Sequence, residues 1–296
     1  MNNFEGKVAV ITGAGRGIGK GIALRCAQEG MKVVLSGIRL DPLNKTAAEL
    51  NKLGAETLIV QADVSLEADV ENLAEKSYEA FGAVHLLVNN AGVGSPGNVW
   101  EASMDDWNWV MSVNFFGVLY GVRAFIPRMI EQGTEGHIVN VSSVAGLLEG
   151  GGGSYGVSKH AVVALTEALY HNLAEAAPNI NVSAYCPGYV NSELDQVDSA
   201  NRPRPARFSK NASKFTDEMR QGARETFENK GLSIEESANV LFEGIKAGKL
   251  YIGVQAFSEQ MPRLGEAIHQ RAENIVTEQN PAHPRMSVMK EKADES

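Results

Sequence analysis

The sequence predicts an α/β fold, a doubly wound parallel sheet (Rossmann fold) in a single domain with a helical lid and an extended C-terminal segment. Three observations predict it. Short β-branched runs alternate with stretches of helical period over residues 7–186. The runs are almost continuously apolar, as strands covered on both faces must be. Glycine-marked turns join them, and the first turn carries four glycines between a strand and a helix.

Residues 7–11 form the first strand, and a helix follows to about residue 29, where Gly30 stops it. Residues 32–36 are the second strand; Asp41 and Pro42 then open a helix that runs toward Leu53. The third strand covers 56–61, a helix 66–81 and the fourth strand 84–89. Residues 104–132 read as one long helix, with Pro127 kinking it near its end. The fifth strand covers 137–141, a helix 154–176 and the sixth strand 180–186. After Gly188 the pattern changes to a polar, proline-broken, arginine-rich stretch. A helix is expected over 212–230. Ser233 caps the next helix, with Glu236 completing a capping box. A last strand at 250–254 and an amphipathic helix after Pro262 follow. Residues 1–280 are therefore read as one catalytic domain with a substrate lid at about 191–232, and 281–296 as a charged, poorly ordered tail.

Of 296 residues, 44% are hydrophobic and 21% charged, which suffices for a full core. The net charge of −9 argues against a nucleic-acid surface, so any phosphate site must be a local feature. Cys26 and Cys186 read as buried reduced thiols; no disulfide framework and no metal site is expected. Residues 1–6 lack a signal pattern, and no uninterrupted apolar run has membrane-spanning length. A cytoplasmic protein without a membrane partner is expected.

The turn Thr12-Gly13-Ala14-Gly15-Arg16-Gly17-Ile18-Gly19 sits where a pyrophosphate is held in dinucleotide-binding folds. Glycines let the backbone turn and approach the phosphates, and the helix N-terminus offers free N–H groups. An acid that binds the ribose hydroxyls is expected about 20 residues on, at the end of the second strand. Ser36-Gly37-Ile38-Arg39 stands there instead. A guanidinium at Arg39, with Arg16 in the turn, suits a 2′-phosphate. NADP(H) is thus preferred, with NAD(H) possible and a merely solvated Arg39 as the other reading. Asp63-Val64 is placed to meet the adenine, unless Asp63 only starts the next helix.

Tyr155 and Lys159 are four apart in a helical pattern and share one face. A free phenol titrates near ~10, and a neighbouring ammonium lowers that value by favouring the phenolate. Such a phenol can protonate a carbonyl oxygen while hydride reaches the carbon, or take the proton of an alcohol. The pair alone is weak evidence, since many helices carry it. Its setting strengthens it. Ser142 and Ser143 end the fifth strand, where a hydroxyl can bond the same substrate oxygen. Asn114 falls mid-helix between Val113 and Phe115; buried there it needs partners, and a water chain to Lys159 is expected.

These segments together resemble the short-chain dehydrogenases/reductases in their short single-domain form. The resemblance rests on Thr12-Gly13-x-x-x-Gly17-x-Gly19, Asp63, Asn89-Asn90-Ala91-Gly92, Asn114, Ser143, Tyr155-x-x-x-Lys159 and Pro187-Gly188, in order over about residues 5–192. It implies that Asn90, Ala91 and Gly92 lie beside the cofactor and that Lys159 also holds the nicotinamide ribose. It further implies that Pro187, Gly188 and Val190 flank the nicotinamide, and that Ser192 meets its carboxamide or phosphates. The family's serine corresponds to Ser143. The interval to the tyrosine is twelve residues where the family has thirteen, so Ser142 stays open as the alternative; a one-residue deletion within 149–153 would explain it. The long C-terminal third is similar to a subgroup acting on bulky aromatic or hydrophobic alcohols and ketones, including lignin-derived aryl ethers. A homodimer or homotetramer is implied.

The function expected is thus an NADP(H)-dependent interconversion of a secondary alcohol and a ketone, with a small-molecule alcohol or ketone as substrate. A catalytically silent dinucleotide-binding sensor or scaffold of the same fold is the alternative, against which the intact Asn114, Ser143, Tyr155 and Lys159 argue. An epimerase or dehydratase would need a larger domain than the residues after Gly188 supply. The substrate pocket is expected among residues 93–100, 145–153 and 189–230. There Trp100, Leu147, Leu148, Tyr189 and Phe208 either touch substrate or pack core and lid. Arg202, Arg204 and Arg207 would meet an acidic substrate group or, more simply, be solvated loop charges. His160 and His171 read as surface or packing residues.

Overall fold

The computed structural model describes residues 1–95, 98–149, 152–192, 204–212 and 216–279. Strands β1 (Val8–Thr12), β2 (Lys32–Gly37), β3 (Thr57–Gln61), β4 (Leu86–Asn89), β5 (Gly136–Val141), β6 (Ile180–Tyr185) and β7 (Tyr251–Ile252) form one sheet. All pairings are parallel, in the order β3-β2-β1-β4-β5-β6-β7.

Strand periodicity divides the core in two. Ala9, Ile11, Leu35 and Val88 face one side. They meet helices α1 (Gly17–Gln28), α2 (Leu40–Lys52) and α8 (Ile234–Lys246) through Ile22, Cys26, Leu43, Leu50 and Phe242. Val8, Val10, Val34, Leu87 and Ile138 face the other side. They meet α3 (Glu67–Phe81), α5 (Gly117–Gln132) and α6 (Gly153–Ala176) through Leu73, Phe125, Met129 and Leu169. Burial on both faces is what made the strands read as unbroken apolar runs. Both cysteines are buried and free, and no cluster of metal-ligating side chains occurs among the described residues.

The expected long helix over 104–132 is divided. It comprises α4 (Met104–Met111), one π turn (Ser112–Phe116) and α5. The Gly117 N–H reaches back five residues to the Ser112 carbonyl. The irregularity lies at Asn114, while α5 continues through Pro127. By length and composition this stretch could cross a membrane, but 56% of its most apolar window is buried inside the fold, as in a core helix.

The remaining helices are α7 (Asp217–Lys230) and α9 (Leu264–Val276). α7 begins later than expected because Thr216 caps it, accepting a hydrogen bond from the Met219 N–H. Ser233 and Glu236 form the expected capping box on α8. β7 is shorter than expected, since Gly253 turns the chain at φ +104°. The expected tail at 281–296, Arg202, residues 150–151 of the loop after β5, residues 96–97 and the lid residues 193–203 and 213–215 lie outside the described residues.

Candidate active site

The strand order reverses at β1, which has β2 on one side and β4 on the other. The crevice beyond the strand ends at such a reversal is where α/β sheets bind ligands. The glycine turn lies there. Gly13 has φ +66°, and a Cβ on it would come within 3.0 Å of Ala91 Cα and Asn90 Nδ2. A Cβ on Gly19 would lie 2.4 Å from the Gly13 carbonyl oxygen, so the first turn of α1 closes onto the loop only because glycine stands there. Thr12 and Asn90 lock the loop to β4. The Asn90 and Ala91 N–H groups donate to Thr12 Oγ1 at 2.9 and 3.1 Å, and Asn90 Nδ2 donates to the Thr12 carbonyl at 2.8 Å.

Two adjoining clefts of about 820 and 690 Å³ share Gly13, Arg16, Ala91 and Gly92 and together make one trough. The first runs over Gly15, Gly37, Arg39, Asp63 and Val64 toward Trp109 and Pro205. The second runs over Gly17, Ile18 and Gly19 to Ser143, Tyr155, Lys159, Pro187, Gly188, Val190 and Ser192. The structure thus brings every residue expected at the cofactor, together with Ser143, to this trough. Asp63 accepts from Ser65 Oγ (2.6 Å) and from Arg207. Burial opposes its charge, yet these bonds hold the carboxyl below the usual carboxylate range.

At the second cleft α6 presents Tyr155 and Lys159 on one face, with the Lys159 Nζ 5.7 Å from the centre of the Tyr155 ring. Lys159 is buried and donates to the Val141 carbonyl at 2.8 Å, at the end of β5. Ser142 Oγ donates to the Lys159 carbonyl at 2.8 Å, which commits its hydroxyl to holding the helix. Ser143 Oγ makes a longer 3.4 Å contact to the Pro187 carbonyl and accepts from the Ala145 N–H. Of the two serines, Ser143 is the less committed.

Asn114 is fully buried. Its side chain bonds the Val93 backbone in both directions, at 2.8 and 2.9 Å, and donates to Ser158 Oγ at 3.0 Å. Ser158 in turn donates to the Tyr155 carbonyl at 2.7 Å. The Asn114 side chain therefore reaches the Tyr155 helix through Ser158. A Cβ on Gly92 would lie 3.5 Å from Lys159 Nζ and 3.6 Å from Asn114 Oδ1, so the two groups flank the same floor of the trough.

A profile described as short chain dehydrogenase matches residues 7–203. The chain belongs to that family. A CLA biosynthesis dehydrogenase/reductase of Lactiplantibacillus plantarum is 36% identical over 287 residues, covering 95% of this chain and 97% of its own. A C alpha-dehydrogenase of Sphingobium sp. is 33% identical over 254 residues, covering 85% and 81%. The crystal structure of a short chain dehydrogenase/reductase from Burkholderia phymatum in complex with NAD superposes with a TM-score of 0.86 at 41% identity, covering 97% of this chain and all of that one. As a short-chain dehydrogenase, the protein is an oxidoreductase acting on CH–OH groups with a nicotinamide dinucleotide.

Several residues near this short-chain dehydrogenase's trough escaped sequence reading. Ser158 and Val93 hold Asn114, but no spacing marks them. Phe227 of α7 lines the second cleft and stacks edge-on against Tyr189, with ring centres 5.9 Å apart. Arg204 is not the solvated charge expected, while Arg207 is 40% exposed but paired. Arg204 is 3% exposed and paired with Asp106; Arg207 is bonded to Asp63 and Ser65. Trp100 is 78% exposed and lines neither cleft of the trough. Leu148 and Tyr189 pack on Val144, Met261 and Leu264, Leu147 packs on Val163 and Cys186, and Phe208 joins the second core layer.

Proposed function

We propose that this protein interconverts a secondary alcohol and a ketone, of bulky or aromatic type, with NADP(H). What carries the reading is the convergence of Tyr155, Lys159, Ser143 and Asn114 at the strand ends beside the glycine turn. The trough suits a dinucleotide: Gly13 and Gly19 let the turn close against Asn90, Ala91 and its own backbone, a packing that any Cβ would block. Gly15, Arg16, Gly17, Ile18 and the α1 N-terminus would hold the pyrophosphate, and Gly37, Arg39, Asp63 and Val64 the adenosine end. Asn90, Ala91, Gly92, Pro187, Gly188, Val190 and Ser192 would line the nicotinamide end. When bound, the dinucleotide supplies or accepts the hydride.

The chain's own residues handle the proton. The Tyr155 hydroxyl gives it to the carbonyl oxygen, or takes it from the alcohol. The Lys159 ammonium stabilises the phenolate left behind. Ser143 Oγ donates to the same substrate oxygen and stabilises its developing charge. Asn114 fixes Val93 and Ser158 and so sets the height of α6 against β4.

NADP(H) is favoured over NAD(H) because Arg16 and Arg39 border the cleft where an acid would bind ribose hydroxyls. The Burkholderia relative carries NAD, so the test must compare both cofactors. Support for a bulky or aromatic substrate comes from the long C-terminal third and from Phe227 at the cleft. Residues 1–280 are read as one domain, the setting as cytoplasmic, and the assembly as a homodimer or homotetramer; Phe116 and Val157 leave apolar surface that a second copy would cover. Steady-state kinetics with NADPH and NADH on a panel of aryl ketones test the reading. Turnover favouring NADPH supports it, and binding without turnover across the panel overturns it.

A further inference from the structure

The segment 204–211 crosses the adenosine cleft from the lid side, and its contacts are those of a fastened strap. Arg204 Nη1 lies 2.5 Å from Asp106 Oδ1, with both side chains buried (3% and 0% exposed). The same guanidinium sits 4.1 Å above the Trp109 ring. Trp109 and Pro205 both wall the cleft, as do Gly37 and Arg39. Further along, the Asn211 N–H donates to Asp105 at 2.7 Å. On the opposite side Arg207 bonds Asp63 and, at 2.6 Å, Ser65. The strap is thus tied to the first turn of α4 on one flank and to the chain beyond β3 on the other.

The two ties differ physically. Asp106 spends Oδ2 on its capping box with Ser103, at 2.6 Å to the Ser103 hydroxyl, and Oδ1 on Arg204. Both carboxylate oxygens are thus engaged, so removing Arg204 alone leaves a buried charge short of a partner. Arg207 is 40% exposed, and salt screens its attraction to Asp63.

We propose that residues 204–208 roof the adenosine half of the dinucleotide cleft and that Arg204 and Arg207 hold the roof shut, so that dinucleotide enters and leaves only when the strap lifts. Arg204 is a positioning residue: it acts through Trp109 and Pro205. The proposal rests on the trough being the dinucleotide site. A roof makes a demand that a simple contact does not. Loosening it speeds entry and exit together, whereas losing a contact speeds exit alone.

Stopped-flow mixing that follows NADPH fluorescence on the full chain measures both rates. The paired variant Arg204→Met with Asp106→Asn removes both buried charges at once. It should raise association and release together, about tenfold each. Arg204→Lys restores the charge without the flat stack on Trp109 and should fall between. Arg207→Gln leaves the buried pair untouched, so it tests the strap even where the paired variant fails to fold. It should raise both rates several-fold at low salt and converge on the native protein at high salt. Rates in Arg207→Gln equal to native at low salt, or a rise in release alone, overturn the proposal. A separate control guards the reading beneath it. A Cβ on Gly37 meets nothing nearer than 3.7 Å, so Gly37→Phe should fold and fill the cleft. If Gly37→Phe binds NADPH like native, the trough is not the dinucleotide site. If it loses binding while the strap variants keep native rates, the strap alone is wrong.

Discussion

At the scale of single residues, the chemistry depends on where hydrogen bonds have already been spent. Ser142 and Ser143 are neighbours, yet Ser142 donates to the Lys159 carbonyl at close range, while Ser143 accepts from the Ala145 N–H and makes only a long donor contact to Pro187. Lys159 donates to the Val141 carbonyl, and its position near the Tyr155 ring gives the phenol a positive neighbour. Tyr155→Phe removes only the hydroxyl. It should cut turnover by about 10²–10⁴-fold while dinucleotide binding, followed by fluorescence titration, survives. An active Tyr155→Phe protein would sink the mechanism. Arg39→Asp exchanges a guanidinium for a carboxylate beside the ribose site. NADPH affinity should fall about 10- to 100-fold, and NADH should gain relative to it. Equal affinities in native and variant protein would show that Arg39 does not read the 2′-phosphate.

At the scale of elements, α6 is placed by a short relay from Val93 through Asn114 and Ser158 to the Tyr155 carbonyl. Asn114→Ala breaks three of these bonds in a dry setting. It should cost about 2–4 kcal/mol in chemical unfolding, at the upper end for a single substitution, and a cost below about 0.5 kcal/mol would remove the relay's importance. All seven strands were legible, six of them because burial on both faces leaves continuous apolar runs such as Val8–Thr12. The Ser233 cap was legible because its partner Glu236 sits at a fixed spacing. The trough was legible because Gly13 and Gly19 are demanded by local geometry. The π turn was not, since residues 104–132 keep an unbroken apolar face and an extra residue in one turn leaves no trace in composition. Arg204 and Arg207 were illegible for another reason. Their partners Asp106 and Asp63 are 98 and 144 residues away, and a proline-broken segment has no period from which to read a facing side.

At the scale of the molecule, one buried histidine ties stability to pH. His137 lies in β5 and is fully buried, with Nε2 2.8 Å from Ser183 Oγ. Burial, aided by the nearby N-terminal ammonium and opposed by Glu135, pushes its pKa down to about 3. The folded chain therefore refuses a proton that the unfolded chain accepts below about pH 6.5. Stability is full above that value and falls as pH drops toward 3, by about 1.4 kcal/mol per unit. Denaturant unfolding at pH 7 and pH 5 should differ by about 2 kcal/mol from this group alone, and His85, whose pKa burial also lowers, adds in the same direction. In His137→Gln the pH slope should flatten; an unchanged slope would assign the acid sensitivity elsewhere.

The π turn at Ser112–Phe116 sets a phase. Each residue advances a helix by about 100°, so one surplus residue rotates everything before it by that angle relative to everything after. Behind the turn, Gly121 meets Asn89 at the end of β4; ahead of it, Asp106 and Trp109 meet the strap. A straight helix could satisfy one of these faces but not both. Asn114 thus sits at the joint that lets one continuous helix address both the floor of the trough and the strap. Deleting a single residue there would turn the roof's anchor about a quarter of the way around the helix, into the wrong neighbours.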